Sequence, residues 1–247
     1  MILSITAASD VGCVRSNNED MLLVEDQFIR DASFENRIEI VDSPILIAVS
    51  DGMGGHAAGE LASEFTLQRM AAAIMGLPKE ANKASLEELL KEQIKAIHDS
   101  LNMLGKENPT MQGLGCTFTG LLLYNAGIYL IHVGDSRLYR QRRGLIALLT
   151  KDHTLRNMLN DPSIPANKIA NSFGGGASDI FFDFEDLTDR MLPNDTLLLC
   201  SDGLSGELSD DDIEAALDGG ADAKTLVTLA RDKGGRDNIS CIVIRLE

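Results

Sequence analysis

Four short segments share one pattern: an apolar run delivers an aspartate at or just past its end, and a glycine or a turn follows. They are Ile45-Leu46-Ile47-Ala48-Val49-Ser50-Asp51-Gly52-Met53-Gly54-Gly55-His56, Tyr129-Leu130-Ile131-His132-Val133-Gly134-Asp135-Ser136-Arg137, Leu197-Leu198-Leu199-Cys200-Ser201-Asp202-Gly203-Leu204, and Gly234-Gly235-Arg236-Asp237-Asn238, which leads into the last apolar run. A carboxylate beside an apolar strand is costly to bury unless it is paired or metal-bound, and four such placements point to a common cation. Oxygen donors suit Mg²⁺ or Mn²⁺ better than zinc, and Gly52 would let a backbone carbonyl come close to an ion. Two such ions about 3.5–4 Å apart can share a carboxylate and a water, which becomes an in-line nucleophile while the ions neutralise a phosphoryl group. A single Asp-Gly pair is ordinarily only a turn; the repeated delivery is not explained that way.

Other residues suit the same chemistry. Arg15-Ser16-Asn17-Asn18-Glu19-Asp20 offers an arginine for bidentate phosphate recognition and two acids able to order metal-bound water; a surface turn with a local ion pair would read the same. His56 sits in the Gly-rich turn after Asp51, where an imidazole could protonate a leaving alkoxide. His132, inside an apolar run, is expected to be a hydrogen-bonded core histidine, and His98 to lie on the polar side of its helix. His153, in Lys151-Asp152-His153-Thr154, is placed to brace the loop that it opens. Asp210-Asp211-Asp212 is expected to be the first turn of a helix capped by Ser209 rather than a metal cluster.

Short apolar and β-branched runs predict strands over residues 3–8, 21–25, 37–41, 45–50, 117–124, 127–133, 138–142, 145–149, 180–184, 196–200 and 239–246. Asn125-Ala126-Gly127 and Arg143-Gly144 read as hairpin turns. Helical spacing predicts one helix from Ala58 to about Gly76 and a second carrying Leu86, Leu90, Ile94, Ile97, Leu101 and Leu104 on one face. A second pair follows over 210–217 and 223–233. Strand runs broken by helix pairs argue for mainly antiparallel sheets with helices outside, in one domain spanning 1–247. Residues 150–178, with Pro162, Pro165 and Gly174-Gly175-Gly176, read as a long surface excursion, either a mobile flap or a loop.

The chain has 247 residues, 22 Lys plus Arg against 38 Asp plus Glu, and a formal net charge of −16. Such acidity disfavours nucleic acid and anionic membranes as partners. The 44% apolar content, spread along the chain, is incompatible with disorder. The N-terminus has no signal-peptide pattern and no apolar run approaches a membrane span, so a cytoplasmic protein is expected. Cys13, Cys116, Cys200 and Cys241 form no C-x-x-C pair and are expected to be reduced thiols packed as small hydrophobes.

Taken in order, Arg15-x-x-Asn18-Glu19-Asp20, Asp51-Gly52-Met53-Gly54-Gly55-His56, Gly115-Cys116-Thr117, Val133-Gly134-Asp135-Ser136-Arg137, Ser201-Asp202-Gly203-Leu204 and Asp237-Asn238 resemble the metal-dependent protein phosphatases of the 2C type, in their compact bacterial form. The resemblance implies an α+β fold, a four-layer αββα sandwich of two mainly antiparallel sheets, with a shortened flap at about 150–178. It implies that Asp51 bridges two Mn²⁺ or Mg²⁺ ions, that the Gly52 carbonyl binds one and that Asp202 and Asp237 hold the other. Asp135, with Asp202, would hold a weaker third divalent ion. Glu19 and Asp20 would act through metal-bound water, Arg15 would grip the substrate phosphate, and His56 would be the general acid. The implied activity is hydrolysis of phosphorylated Ser/Thr proteins by direct attack of a metal-bridging hydroxide, reversing a cognate bacterial Ser/Thr kinase; a monomer is expected. The rival reading, a phosphatase fold that binds phosphoproteins without turnover, sits poorly with an intact set of Asp51, Asp202 and Asp237. An acidic Ca²⁺-binding protein would need a D-x-D-x-D-G loop, which the sequence lacks.

Overall fold

A computed structural model describes residues 2–39, 44–54 and 58–247. The strands of the first half are β1 (Ile2–Asp10), β2 (Met21–Val24), β3 (Gln27–Ile29), β4 (Ser33–Glu39), β5 (Ile45–Ser50) and β6 (Gly52–Met53). Helices α1 (Ala58–Met75) and α2 (Lys83–Glu107) follow. Next come β7 (Gly115–Cys116), β8 (Phe118–Tyr124), β9 (Gly127–Val133), β10 (Arg137–Arg142), β11 (Leu145–Leu148), the short α3 (Leu155–Leu159) and β12 (Phe173–Gly174). The chain closes with β13 (Asp183–Asp186), β14 (Thr196–Cys200), α4 (Asp202–Ser205), α5 (Asp210–Asp218), α6 (Ala223–Asp232) and β15 (Ile239–Leu246).

Two six-stranded sheets form, in the orders β11-β10-β14-β15-β1-β4 and β13-β9-β8-β5-β2-β3. The strand pairings within both are antiparallel. Continuous apolar runs make sense here because the central strands are buried on both faces. In β14, Leu197 and Leu199 enter the core between the sheets, whereas Leu198 and Cys200 face α5 and α6. In β5, Ile47 and Val49 point inward, and Leu46 and Ala48 pack under α1 and α2. Three apolar layers separated by two sheets give the αββα order.

Local chemistry fixes the ends of the elements. Asn125 and Ala126 have φ of 48° and 59°, and Arg143 and Gly144 have φ of 53° and 77°, the conformation that two-residue hairpin turns need. Asn82 caps α2, Asp222 caps α6, and Ser209 with Asp212 forms a capping box on α5. Asp210-Asp211-Asp212 is accordingly a helix first turn.

Several expectations shift. Of the strand expected at 37–41, residues 37–39 belong to β4 over Ser33–Glu39 while 40 and 41 lie outside the described residues, and the strand expected at 180–184 is β13 over Asp183–Asp186. Strand β3 and the three-stranded sheet β12-β7-β6 carry no periodic signal because they are only two or three residues long. His98 is buried rather than on a polar face. Its Nδ1 accepts the Gly174 N–H (3.1 Å), and its Nε2–H donates to the Ala177 carbonyl (3.0 Å). Asn102 Oδ1 accepts the Gly176 N–H (2.9 Å), so α2 holds the Gly-rich end of the 150–178 excursion. Cys116, Cys200 and Cys241 are buried, but Cys13 is exposed; it sits in the turn after β1, where no layer covers it.

Leu199, fully buried between the sheets, and Leu148, 40% exposed on the edge strand, test the layer assignment. Leu199→Ala is expected to cost about 2–5 kcal/mol in urea unfolding, and Leu148→Ala less than about 1 kcal/mol.

Candidate metal and phosphate site

Strand register brings the acidic segments to one edge of the sandwich. Met21 pairs with Ser50, so Asp20 and Asp51 leave adjacent strands side by side. Arg137 pairs with Cys200, which puts the Asp135 turn beside Ser201-Asp202. Asp10 pairs with Ile239, bringing the turn that carries Arg15 against Asp237. Residues remote in sequence become neighbours through antiparallel pairing alone.

Hydrogen bonds then fix each turn. The Asp51 N–H donates to Thr117 Oγ1 (3.0 Å), and the Thr117 N–H returns to the Asp51 carbonyl (2.9 Å). Gly52 donates its N–H to the Glu19 carbonyl (3.2 Å). A Cβ on Gly52 would lie 2.1 Å from the Gly59 carbonyl oxygen and 2.6 Å from that of Glu19, so only glycine lets α1 and the Glu19-Asp20 segment close around it. Asn238 Oδ1 accepts the Glu19 N–H (2.8 Å), and its Nδ2 donates to the carbonyls of Val11 and Asn17, each at 2.9 Å. Asp202 is the first residue of α4, and the preceding Ser201 donates its hydroxyl to Asp20 Oδ2 (2.7 Å).

Arg15, Glu19, Asp51, Gly52, Asp202 and Asp237 line one cleft of about 400 Å³, together with Ser16, Asn17, Met53, Gly54, Asn238 and Ile169. Asp51 and Asp202 face the same cleft closely enough for each carboxyl to affect the other's ionisation. At the exposed mouth, Arg15 Nη2 donates to Asp237 Oδ2 (2.7 Å). Asp20 and Asp135 do not line the cleft; both are buried at its edge. Asp135 Oδ1 is buried and has no hydrogen-bond partner among the described residues. His56 lies outside the described residues.

The electrostatics follow from this crowding. Burial pushes Asp20 up to about 8, and Asp202 and Asp237 add to the effect, against the hydrogen bonds from Ser201 and Ser240. Burial pushes Asp51 well above the usual carboxylate range, followed by repulsion from Asp20, Asp202, Asp135 and Asp237. Asp135 rises to about 7 through burial and the charges of Asp202 and Asp152. Asp202 rises through burial and Asp237, and Glu19 mainly through burial. Carboxylates this close cannot all ionise without a counter-charge. The donors are all oxygen, one buried carboxylate oxygen is unpartnered, and Gly52 admits close backbone approach. This set fits hard divalent cations such as Mg²⁺ or Mn²⁺.

Supporting residues were harder to find in the sequence. Thr117, Ser201 and Asn238 stand beside motif residues, but short polar side chains carry no signal of which backbone they will hold. Ile169, from the 150–178 excursion, lines the cleft and has no sequence signal at all, because it arrives through the path of a long loop.

Comparison with known proteins agrees with this geometry. The family model for Protein phosphatase 2C matches residues 23–229. The serine/threonine protein phosphatase PstP of Mycobacterium tuberculosis is 31% identical over 98% of this chain; the chain spans 45% of that relative's length. The structure of the S. agalactiae serine/threonine phosphatase superposes with a TM-score of 0.83 at 28% identity, covering 99% of this chain and 100% of the other. The catalytic domain of PstP in complex with two manganese ions superposes with a TM-score of 0.73 at 30% identity, covering 100% of this chain and 99% of the other. With its ordered motifs, its αββα layers and its oxygen-rich cleft, the chain belongs to the protein phosphatase 2C family, among its bacterial members.

Proposed function

We propose that this chain is a metal-dependent serine/threonine phosphoprotein phosphatase that hydrolyses phosphomonoesters directly. The observation that carries the reading is the meeting of Asp51 and Asp202 in one cleft with Arg15 and Asp237. Asp51, the Gly52 carbonyl, Asp202 and Asp237 would hold two Mn²⁺ or Mg²⁺ ions, and Asp135 with Asp202 a weaker third. Such ions, when bound, supply a water of lowered pKa and neutralise phosphoryl oxygens. Manganese in the PstP catalytic domain supports the choice of ion.

The chain's own residues have the remaining tasks. Arg15, at the mouth, has a guanidinium free to exchange one carboxylate oxygen of Asp237 for phosphate oxygens, which it can grip in bidentate fashion. Glu19 and Asp20 orient water at the cleft, Asp20 from beneath with its carboxylate fixed by Ser201. His56 protonates the departing serine or threonine oxygen. In phosphoryl transfer the protein's contribution is mostly positioning and charge stabilisation, and the cleft offers both. The net charge of −16 favours phosphoproteins whose phosphate lies in neutral or basic surroundings, including the products of a cognate kinase. We place the protein in the cytoplasm, as a monomer.

Hydrolysis of p-nitrophenyl phosphate is expected to require Mn²⁺ or Mg²⁺ and to stop in EDTA. Asp51→Ala and Asp202→Asn are each expected to lower kcat at least about a hundredfold; undiminished turnover in either variant would refute the mechanism. Arg15→Ala is expected to raise KM about tenfold, equivalent to about 1.4 kcal/mol of binding, with a smaller change in kcat.

Metal removal should also leave a mark on stability. Asp20 and Asp51 keep their protons in the folded state to higher pH than in the unfolded chain. Stability of the metal-free protein is therefore lost as pH rises through their folded values. His132, lowered to about 4, and His153, also lowered, act in the opposite sense, but only below their unfolded value of about 6.5. Calorimetry in EDTA should show the melting temperature falling between about pH 6.5 and about pH 8.5. Millimolar Mn²⁺ should abolish or reverse that fall, because the bound cation takes the place of the protons.

A further inference from the structure

His132, His153 and Asp183 each bring one ligand atom within 4.8 Å of the others, outside the acidic cleft. The grouping resembles a zinc site, yet the hydrogen bonds around it decide otherwise. His153 Nδ1 faces only donors: the Gly134 N–H at 3.2 Å and Asn171 Nδ2 at 2.9 Å. The Asn171 amide cannot be turned round, because its Nδ2 also donates to the Phe181 carbonyl (2.8 Å) and its Oδ1 accepts the Phe181 N–H (3.2 Å). The proton of a neutral His153 is therefore on Nε2, where it donates to Asp183 Oδ2 (3.1 Å). A histidine that binds metal through Nε2 needs its proton on Nδ1, pointing at an acceptor. His132 is engaged in the same way, with Nε2 on the Lys151 carbonyl (3.2 Å) and Nδ1 on Thr119 Oγ1 (2.9 Å).

What His153 holds is the turn that delivers Asp135. Its backbone N–H donates to the Gly134 carbonyl (2.7 Å) while its side chain accepts the Gly134 N–H, so the peptide groups on both sides of Gly134 are held by one residue. Gly134 has a φ of +107°, and a Cβ there would stand 2.6 Å from Thr117 Cγ2. The turn is thus pressed against the threonine that fixes Asp51. His153 also opens the 150–178 excursion, and its carbonyl accepts the Ala170 N–H from the returning arm (2.8 Å). His153 is 5% exposed, and its ring packs between His132 and Phe181, with centroids 4.6 Å from each. Asp135, next in the chain to Gly134, is the residue with the buried unpartnered oxygen.

We propose that His153 is a positioning residue: through the lone pair on Nδ1 it locks the Gly134-Asp135 turn to the root of the 150–178 excursion, and so aims the Asp135 carboxylate at the weaker cation position. The inference rests on the proposed role of Asp135 as a cation ligand. It requires an acceptor at the Nδ1 position, whereas the Nε2 donor to Asp183 only orients the ring.

Isosteres separate the two nitrogens. Asn places an acceptor oxygen where His153 has Nδ1, and Gln places a donor where it has Nε2. The 247-residue wild type and the variants His153→Asn, His153→Gln, His153→Ala and Asp135→Asn would be compared by calorimetric Mn²⁺ titration and by amide hydrogen exchange over residues 130–137. His153→Gln and His153→Ala are expected to weaken the lower-affinity Mn²⁺ site about tenfold and to speed exchange at Gly134. His153→Asn is expected to stay within about threefold of wild type, as partners that keep the hydrogen bond do, and to keep the Gly134 amide protected. A His153→Gln protein that matches wild type, or a His153→Asn protein as impaired as His153→Ala, overturns the proposal while Asp135→Asn still loses the weak site. An Asp135→Asn protein with unchanged weak-site affinity overturns it by the other route, by removing Asp135 as a ligand.

Discussion

The structure is organised around crowded negative charge. Asp51 and Asp202 meet in one cleft with Asp237 and Glu19, and Asp20 and Asp135 are buried at its edge. Held together in a partly dry environment, these carboxylates repel one another and resist ionisation. No fold would keep them there for its own stability, and the apolar layers must hold them in place against that repulsion. Three apolar cores sharing two sheets supply the hold. The cost is met by strand burial far from the cleft, and the preorganised charge is available to a cation.

Between the layers and the cleft lies a second level of order, made of short polar side chains. Thr117 fixes the peptide of Asp51, Asn238 fixes that of Glu19, and Ser201 fixes the carboxylate of Asp20. Each bonds to backbone or to a carboxylate across a large sequence separation, so each acts as a staple between strand ends. Preorganisation of this kind is what lets fixed charges act on a transition state without reorganising.

The 150–178 excursion is tied to the rest of the molecule at both ends. Histidines hold both of its ends: His153 at the start, against Gly134, Asn171 and Asp183, and His98 at the finish, against Gly174 and Ala177. Between them the loop sends Ile169 to the cleft while Met158 and Leu159 stay exposed. The excursion also carries α3 and sends Phe173 into the apolar layer under α1 and α2, so the loop that shapes the site is anchored in the sandwich.

The sequence alone determined the local and the repetitive features: long buried strands from their apolar runs, α2 from its stripe of Leu86 to Leu104, the hairpins at Asn125 and Arg143, and the aspartates delivered at strand ends. These are legible because periodicity and turn chemistry act over a few residues. The ordered motifs added the family and its layered fold. Only the tertiary structure decided which strand ends meet. The pairings of Met21 with Ser50, Arg137 with Cys200 and Asp10 with Ile239 are set by long-range burial, and no local pattern reports them. The same reason explains the misplacement of His98, whose polar face became interior when the Gly174-Gly176 segment folded over it, and the silence of the sequence about Ile169 and the short β12-β7-β6 sheet. Residue types and spacing disclosed a set of metal-seeking carboxylates; antiparallel register, enforced by cores on three sides, turned that set into a site.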